Sequence, residues 1–320
     1  MNNMTEEKIT PLGGLYSKLF DFIPDIQNAA RAPIVYAEDL TTEVFQHKWV
    51  DNNRPCLIKK AVQHWPAVGK WRSKDYWLST CDNFGVTVFP HENHVDYSRI
   101  KGEDMPFYDA IERLFQNRDP VFSIPARKIS GEKQVARLLD DIKGFHFLPS
   151  APMPRDYDRQ RLFIYRRAAT AWHYHAIDET LMCQVNGAKR VALLPPDIPH
   201  PKNVIHYLRQ ERYLDGKPLD PSLKLKPMIA DVEEGDALYI PPYWHHGVAP
   251  KDGEIGFTLA YCWASPWHKL GDFSNYFVRN LYKDAMWPLR KISPFVPFLG
   301  LYAGFLHLKR TLLHQEPTAG

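Results

Sequence analysis

Residues 172–179 read Trp-His-Tyr-His-Ala-Ile-Asp-Glu, and residues 240–246 read Ile-Pro-Pro-Tyr-Trp-His-His. Both stretches have the composition of β-strands. On a regular strand the side chains of His173, His175 and Glu179 project to one face, because their positions share parity. Two imidazoles and a carboxylate, closed by a distant imidazole, suit Fe(II), Mn(II), Zn(II) or Ni(II) better than Ca(II) or Mg(II). The pattern therefore predicts a divalent-metal site and a metalloenzyme.

The distant ligand is either His245 or His246. These neighbours have opposite parity, so only one of them can face the interior of a β-barrel. Asp178 is a weaker candidate for the acidic ligand, because its parity is wrong unless the strand carries a bulge. The spacing leaves these choices open, and it assigns no catalytic acid or base.

The composition is that of a globular protein without a nucleic-acid partner. The chain has 320 residues, a formal net charge of +3 and 44% hydrophobic residues, which is enough apolar surface for a sizeable core. It has no long basic run of the kind that binds nucleic acid. The polar, acidic residues 1–7 are unlike a signal peptide. The apolar run at 295–308 is too short for a transmembrane helix, which needs about twenty residues.

The four cysteines are Cys56, Cys81, Cys183 and Cys262, and none of them forms a Cys-x-x-Cys pair. They lie in apolar stretches, where cysteines are usually buried. Reduced thiols are typical of intracellular proteins. We therefore expect four free, buried thiols and a cytoplasmic location.

Short strands separated by glycine and proline turns fill the middle of the chain, and helices flank them. This arrangement predicts a mostly β protein built on a jelly-roll or barrel core. It divides into a helical lead-in (1–33), a β-rich domain (34–265) and a C-terminal helical segment (266–320). The predicted strands include 161–166, 170–177, 180–185, 189–194, 237–240 and 255–263; helices are predicted at 15–22, 104–117 and 273–287, and a long irregular connection at 197–230.

Three further motifs surround the histidines. Residues 53–59 read Asn-Arg-Pro-Cys-Leu-Ile-Lys, residues 184–190 read Gln-Val-Asn-Gly-Ala-Lys-Arg, and residues 235–244 read Gly-Asp-Ala-Leu-Tyr-Ile-Pro-Pro-Tyr-Trp. This combination resembles the cupin superfamily and, within it, the JmjC-like (cupin_8) oxygenases that use Fe(II) and 2-oxoglutarate, typified by the asparaginyl hydroxylase of hypoxia-inducible factor. The resemblance covers about residues 33–265 and implies a double-stranded β-helix, the jelly-roll of cupins.

The resemblance also implies roles for particular residues. In the family the distal metal ligand follows a Pro-x-x-Trp motif, which selects His246 over His245. Lys189 matches the lysine that pairs with the distal carboxylate of 2-oxoglutarate, and Thr170 matches a threonine that hydrogen-bonds the same group. Fe(II) is the implied metal and 2-oxoglutarate the implied cosubstrate.

One departure from the family pattern leaves the chemistry open. The family normally has His-x-Asp in its first metal strand, whereas this chain has His173-Tyr174-His175 followed by Glu179, as in older cupins. Either three histidines and Glu179 bind the metal, or His175 replaces the acid and Glu179 lies nearby. Four protein ligands leave two positions of an octahedron, and bidentate 2-oxoglutarate would fill both, leaving none for O2.

The sequence therefore supports three functions. The leading hypothesis is an Fe(II)- and 2-oxoglutarate-dependent oxygenase that hydroxylates a protein side chain or a small molecule. One alternative is a 2-oxoglutarate-independent cupin metalloenzyme (a dioxygenase, oxidase, isomerase or lyase) with a three-histidine, one-glutamate site. The other is a non-catalytic, metal-stabilised binding protein.

Two further expectations concern the substrate pocket and the oligomeric state. Tyr174, Tyr243 and Trp263 lie beside the predicted metal strands, and they are candidates to line a substrate pocket. The segment after residue 265 is too apolar to stay fully hydrated. We therefore expect it to form helices through which the chain makes a homodimer.

Overall fold

The computed structural model of this chain describes residues 15–23, 26–90, 101–116, 119, 121–251, 255–283, 298, 300–305 and 308. The strands are β1 (Ala30–Arg31), β2 (Ile34–Tyr36), β3 (Cys56–Lys59), β4 (Gly85–Val88), β5 (Glu103–Pro106), β6 (Phe122–Lys128), β7 (Gln160–Arg166), β8 (Thr170–His173), β9 (Asp178–Asn186), β10 (Lys189–Leu194), β11 (Met228–Val232), β12 (Ala237–Ile240), β13 (His245–Pro250) and β14 (Ile255–Ala264).

The α-helices are α1 (Leu15–Asp21), α2 (Thr42–Val44), α3 (Pro66–Lys70), α4 (Lys74–Thr80), α5 (Phe107–Gln116), α6 (Pro201–Arg209), α7 (Trp267–Leu270) and α8 (Tyr276–Lys283). A π-helix at Phe45–Val50 continues α2. Short 3-10 helices occur at Ile26–Asn28, Ala37–Asp39, Lys133–Asp141 and Pro221–Leu223.

Two large sheets form the centre of the fold. The five-stranded sheet has the order β1-β11-β10-β13-β8, and the seven-stranded sheet has the order β2-β3-β12-β9-β14-β7-β6, while β4 and β5 form a separate two-stranded sheet. From β7 onward the chain passes repeatedly between the two large sheets, and side chains from both line a common cavity. This is a double-stranded β-helix, so the predicted fold is confirmed.

The outer face of the seven-stranded sheet is covered by the chain that precedes the barrel. Strand β9 lies between β12 and β14, and it is buried at every position, which requires a cover on both of its faces. On the outer face, Trp71 and Trp77 pack against Phe257 of β14, and the rings of Trp77 and Phe257 stack with centroids 4.8 Å apart. The inner face is left for the cavity.

A second core covers the five-stranded sheet. Helix α1 packs against β13, and α6 packs against β8. Phe20 and Phe22 contact the Trp172 ring of β8 edge-on, and Nε1 of Trp172 donates a 2.8 Å hydrogen bond to the carbonyl oxygen of Leu19. The lead-in helix thereby holds the strand that carries His173.

Several elements differ from the sequence-based expectations. The strand expected over 170–177 ends at His173. Helix α6 lies within the connection at 197–230, because Pro201 suits the first turn of a helix and the residues after it bury one apolar face. Helix α5 begins only after β5, and α8 covers part of the helix expected at 273–287, whose last four residues lie outside the described residues.

The cysteines are free and buried, as expected. Within the part of the chain that the structure describes, no helix is long and apolar enough to span a membrane. Residues 1–14 and, in the apolar run at 295–308, residues 295–297, 299, 306 and 307 lie outside that part. The division of the chain at residues 33 and 265 stays a prediction.

Gly256 of β14 occupies a position with no room for a side chain. A Cβ there would lie 1.9 Å from Cζ of Tyr165, whose ring is buried and whose hydroxyl accepts a hydrogen bond from Gln184. We expect Gly256→Ala to lower the free energy of unfolding by about 1–3 kcal/mol, because the ring must move within a packed interior. Urea unfolding followed by tryptophan fluorescence measures the loss.

Gly69→Ala is the matched control. Gly69 lies in α3 with nothing within 4 Å of an added Cβ, and alanine is the better helix former. This variant should lose no stability. Equal stability of the two variants would contradict the packing around Tyr165.

Candidate metal centre

Three histidines converge between the two sheets. His173 ends β8 and is paired in register with His246 of β13, and His175 follows just beyond the end of β8. One ring nitrogen from each residue lies within 4.8 Å of the other two. The ring centroids of His173 and His246 are 4.2 Å apart. This spacing suits a metal ion held by three imidazole nitrogens.

The hydrogen bonds of the three rings leave Nε2 as the ligand atom. Nδ1 of His173 and Nδ1 of His246 each donate to the carbonyl oxygen two residues earlier, at 2.8 and 2.9 Å. A carbonyl oxygen can only accept, so these two rings carry their proton on Nδ1 and have a free lone pair on Nε2. Nδ1 of His175 lies 2.8 Å from the hydroxyl of Thr180. Partners of this kind orient the imidazoles of metal sites.

Burial keeps the three imidazoles neutral. It lowers the pKa of His173, and it lowers the pKa of His175 and of His246 well below 6.5. The positive charge of Arg161 lowers the pKa of His173 and His175 further. Since neutral imidazole is the form that binds a metal, protons compete little for these nitrogens at neutral pH.

His175 reaches the other two histidines from an irregular backbone segment that follows β8. Its carbonyl oxygen accepts a 2.8 Å hydrogen bond from the backbone N–H of Tyr243. Tyr243 has a φ of 67°, in the left-handed region that bulky residues rarely adopt. His173, His175 and Glu179 therefore do not lie on one regular strand, and the parity argument does not describe how the first two meet.

Glu179 does not join the three histidines. The chain re-enters the sheet at Asp178, with the result that Glu179 faces outward with Leu181 while Thr180 and Met182 face the cavity. Its carboxylate is fully buried and accepts hydrogen bonds of 2.6 Å from Nζ of Lys269 and 2.6 Å from the hydroxyl of Tyr239. Of the four expected ligands, the structure brings the three histidines together and places Glu179 elsewhere.

The other two candidate ligands are also engaged elsewhere. The Asp178 carboxylate accepts hydrogen bonds of 2.7, 2.8 and 2.9 Å from the backbone N–H groups of residues 155–157. His245 faces away from the cluster, and its ring packs against Tyr174 and Phe277 at 4.6 and 4.9 Å between centroids. The structure thus places His246, and not His245, beside His173.

The histidines line a cavity of about 160 Å³. One end of it holds Thr170, Lys189 and Thr258, and Lys189 pairs with Pro250, four residues along β13 from His246. The Lys189 side chain is buried, and its Nζ lies 3.9 Å from the centroid of the Tyr165 ring. Both residues that the sequence assigned to the cosubstrate therefore lie in the same cavity as the histidines.

Lys189 has no counter-ion in the part of the chain that the structure describes. Among the described residues, no carboxylate oxygen lies within ion-pair distance of its ammonium group. Burial lowers the pKa of Lys189 to about 7. A buried ammonium group without an anion is costly. This end of the cavity is therefore suited to the carboxylate of a ligand.

The opposite end of the cavity holds Tyr157 and Arg161, which are partly exposed. The guanidinium carbon of Arg161 lies 4.0 Å from the centroid of the Tyr157 ring, and that ring lies 5.2 Å from the ring of His175. The walls between the two ends are apolar, and they include Phe163, Met182, Ile240 and Val248. The cavity is thus polar at both ends and apolar along its walls.

The aromatic residues expected in the substrate pocket do not line this cavity. Tyr243 is buried and stacks with Phe277 of α8, and Trp263 is buried and packs against Tyr239 on the outer side of the sheet. Tyr174 lies in a separate surface cleft between α6 and α8. These rings belong to the hydrophobic cores, which is the commoner place for aromatic side chains in a β protein.

Sequence reasoning missed four residues near the site, namely Tyr157, Arg161, Thr180 and Lys269. The alternation of β7 could have found Arg161, because it shares parity with Phe163, which also lines the cavity. No sequence signal pairs Lys269 with Glu179. They are ninety positions apart, and a lysine that follows a strand is usually exposed.

Three neutral nitrogen ligands suit a transition metal and leave three positions of an octahedron open. Bidentate 2-oxoglutarate and O2 together need three positions. Because Glu179 is held by Lys269 and Tyr239, the four-ligand obstacle raised by the sequence does not arise. The donor set differs from the usual two-histidine, one-carboxylate triad only by the imidazole in place of the acid.

The comparison with protein families agrees with the fold and with this site. A sequence profile described as "Cupin-like domain" matches residues 41–267. This range includes the three histidines, Thr170 and Lys189.

Individual relatives are distant. The chain is 25% identical to "Jumonji C domain-containing protein 5" of Drosophila melanogaster, over 69% of this chain and 57% of that protein. It is 25% identical to "Bifunctional peptidase and (3S)-lysyl hydroxylase JMJD7" of Homo sapiens, over 68% and 80% of the two chains. It is 20% identical to "Lysine-specific demethylase JMJ32" of Arabidopsis thaliana, over 78% and 85%. The match thus spans a little over half of the Drosophila protein.

The neighbouring histidines of β13 should differ sharply in metal binding. We expect His246→Ala to weaken Co(II) binding at least about a hundredfold, since it removes one of three ligands. His245→Ala should leave the affinity within about threefold of wild type, because its ring faces the second core. Titration with Co(II) under nitrogen, followed by visible absorption, measures both. Equal effects of the two substitutions would contradict the assignment.

Glu179→Gln tests whether Glu179 is a metal ligand or a structural carboxylate. The substitution removes the carboxylate from the buried Lys269, so we expect the free energy of unfolding to fall by about 3 kcal/mol. Co(II) affinity should stay unchanged. Glu112→Gln, in the half-exposed pair with Lys74, is the control and should cost less than about 1 kcal/mol. Loss of metal binding in Glu179→Gln with little loss of stability would contradict this placement.

Proposed function

The chain belongs to the cupin-like domain family, and from this membership we propose that it is an Fe(II)- and 2-oxoglutarate-dependent hydroxylase whose metal is held by three histidines. JmjC enzymes of this family are Fe(II)- and 2-oxoglutarate-dependent oxygenases, including hydroxylases and demethylases. The ligands proposed here are His173, His175 and His246. The likeness to the asparaginyl hydroxylase branch in particular stays a prediction.

Bound Fe(II) and 2-oxoglutarate supply the oxidation: O2 is reduced, 2-oxoglutarate becomes succinate and CO2, and a C–H bond of the substrate becomes C–OH. One oxygen atom of O2 enters succinate and the other enters the alcohol. The protein's contribution is to bind, orient and exclude water. The histidine Nε2 atoms hold the metal, and the apolar walls keep the cavity dry.

The buried Lys189 is the observation that carries this proposal. It lies in the same cavity as the three histidines, has no carboxylate partner among the described residues, and shares its end of the cavity with two hydroxyl groups, those of Thr170 and Thr258. An ammonium group and hydroxyls are the donors that a carboxylate end needs. We assign Lys189 and Thr170 to the distal carboxylate of 2-oxoglutarate.

One observation favours a second function. The third ligand position holds His175 where the family has an acid. A centre of three neutral ligands keeps the full charge of the metal, which also suits direct binding of an anionic substrate without 2-oxoglutarate. On that account the chain would be a 2-oxoglutarate-independent dioxygenase, and Lys189 would serve the substrate.

The two functions differ in their requirement for 2-oxoglutarate. We expect the Fe(II)-loaded protein to form succinate from 2-oxoglutarate under air, even without its substrate, at a slow rate measured by mass spectrometry. Lys189→Met should abolish this turnover at about 0.1 mM 2-oxoglutarate, because the cosubstrate loses its charge partner. Lys251→Met is the control, because Lys251 does not line the cavity and pairs with Glu233 and Asp231. O2 uptake that is unchanged when 2-oxoglutarate is omitted would support the second function.

Further features of the chain are part of the proposal. Its substrate is a protein side chain or a small molecule, and its location is the cytoplasm, as the free, buried cysteines support. The segment after residue 265 forms a homodimer, which is supported by the exposed side chains of Phe298, Leu301 and Phe305. Light scattering at micromolar concentration tests the dimer, and a monomeric mass would contradict it.

Lys189 makes the affinity for 2-oxoglutarate depend on pH. With a pKa of about 7 in the ligand-free protein, Lys189 loses its proton as the pH rises above 7, whereas a carboxylate bound beside it raises that pKa. Binding above pH 7 must therefore take up a proton. We expect the Kd of the Co(II)-loaded protein for 2-oxoglutarate to increase about tenfold from about pH 6.5 to about 8.5, measured by calorimetry.

Lys189→Arg is the matched variant, because a guanidinium stays charged across this range. It should bind 2-oxoglutarate with a Kd that changes less than about twofold over the same interval. A wild-type Kd that is equally flat would contradict the role of Lys189.

A further inference from the structure

The cavity beside the histidines carries an excess of positive charge. Arg161 and Lys189 both line it, and among the described residues no aspartate or glutamate does so. A divalent metal on three neutral imidazoles adds two positive charges, because this centre lacks the carboxylate ligand of the usual triad. 2-Oxoglutarate brings two negative charges. Two positive charges therefore remain when metal and cosubstrate are both bound.

Among the described residues, Arg161 is the second cation of this cavity that has no strong acceptor. Its guanidinium stacks on the ring of Tyr157, and Nη2 makes a 3.8 Å contact with Sγ of Cys262, a weak acceptor. Its Nε is buried and has no hydrogen-bond partner among the residues that the structure describes. Within the described part of the chain, no carboxylate forms an ion pair with it. Buried donors are nearly always hydrogen-bonded in folded proteins, so this side chain is arranged for a ligand.

The nearest acidic residues do not neutralise Arg161. Asp156 lies within range of its charge, yet the two groups form no ion pair and Asp156 does not line the cavity. Asp178 accepts hydrogen bonds from the backbone of residues 155–157 and thereby fixes the segment that carries Tyr157. Tyr157 stacks on the guanidinium, which leaves the N–H groups along its edge as the donors that can bind a carboxylate.

The cosubstrate leaves Arg161 available. Lys189 lies over the ring of Tyr165, which is four residues along β7 from Arg161, or roughly 13 Å at the usual rise of a strand. Tyr157, stacked on Arg161, contacts the ring of His175. The two cations are thus well separated along the cavity, and Arg161, stacked on Tyr157, is the one beside His175. Because Lys189 is assigned to the distal end of 2-oxoglutarate, Arg161 stays available for a second ligand beside His175.

We infer that Arg161 binds a carboxylate of the primary substrate beside the metal, so that the protein hydroxylates an acidic residue or a small carboxylic acid. This inference rests on the proposed function. A guanidinium binds a carboxylate through two parallel hydrogen bonds, which fixes the position of the substrate carbon as well as its charge. Arg161 is thus a specificity-determining residue of this site.

The inference sets this chain apart from its relatives. The human protein is named as a lysyl hydroxylase and the Arabidopsis protein as a lysine-specific demethylase. A lysine side chain would bring a further positive charge into a cavity that has Arg161 and Lys189 beside the metal site, and no described acidic residue lines this cavity to receive it. Like charges at such distances in a buried site repel strongly. The cavity of this chain therefore disfavours a lysine substrate.

Calorimetry on the protein loaded with Co(II) and 2-oxoglutarate under nitrogen tests the inference without turnover. The peptide-like probes are the N-acetyl amides of aspartate, glutamate, asparagine and lysine, and propionate is the free carboxylate. We expect the aspartate or glutamate probe, or propionate, to bind at least about tenfold more tightly than the asparagine and lysine probes. Tighter binding of the amino-acid probes than of propionate identifies a peptide substrate, and the reverse identifies a free acid.

Three variants distinguish a direct contact of Arg161 with the carboxylate from a general change in charge or folding. Arg161→Gln should raise the Kd for the carboxylate probes about tenfold to a hundredfold. It should leave the Kd for 2-oxoglutarate unchanged, and that unchanged value also shows that the variant is folded. Arg161→Lys should recover part of the affinity. Arg159→Gln is the control, because the Arg159 guanidinium donates hydrogen bonds to Tyr261 and Ala151 outside the cavity.

The opposite results would overturn the inference. These are a preference for the lysine probe, no carboxylate binding up to about 10 mM, a carboxylate preference that persists in Arg161→Gln, or an equal loss of 2-oxoglutarate affinity in that variant. The last result would assign Arg161 to the cosubstrate. Failure of the wild-type protein to bind 2-oxoglutarate at all would instead reject the proposed function.

Discussion

The pairing of His173 with His246 across β8 and β13 is the constraint on which the rest of the site depends. It brings two imidazoles from distant parts of the chain to a centroid separation of 4.2 Å, and backbone carbonyls fix the direction of both rings. Trp172 anchors β8 to the lead-in helix, so the pairing cannot slip without opening the second core. His175 then needs only a short irregular segment to reach the same point.

The positions of the acidic residues Glu179 and Asp178 follow from where β8 ends and β9 begins. Because β8 ends at His173 and β9 begins at Asp178, the side chain of Glu179 faces the outer core, where Lys269 and Tyr239 hold it. Asp178 fixes the segment of Tyr157 through three backbone N–H groups. The acids beside the metal strands are thus used to build the walls of the site, and the cavity itself is left with two cations and three neutral imidazoles.

Much of this could be predicted from the sequence, and the failures have identifiable causes. The jelly-roll fold follows from strands bounded by glycine and proline, and Lys189 could be assigned because its hairpin motif resembles that of the cupin oxygenases. Parity predicts Glu179 on the same face as the histidines, but parity holds only along an unbroken strand. No residue of 174–177 predicts the break between β8 and β9. Arg161 was missed because an arginine on a strand is usually exposed, and only the packed structure shows its buried, unbonded Nε.

In the proposed site, three histidines alone hold the metal, and Lys189 receives the distal carboxylate of 2-oxoglutarate. An anaerobic crystal structure of the Fe(II)-loaded protein with 2-oxoglutarate tests it most directly. We expect Nε2 of His173, His175 and His246 as the only protein ligands, Glu179 still hydrogen-bonded to Lys269, and a cosubstrate carboxylate within hydrogen-bond distance of Lys189. A Glu179 oxygen bound to iron, or 2-oxoglutarate bound away from Lys189, would contradict it.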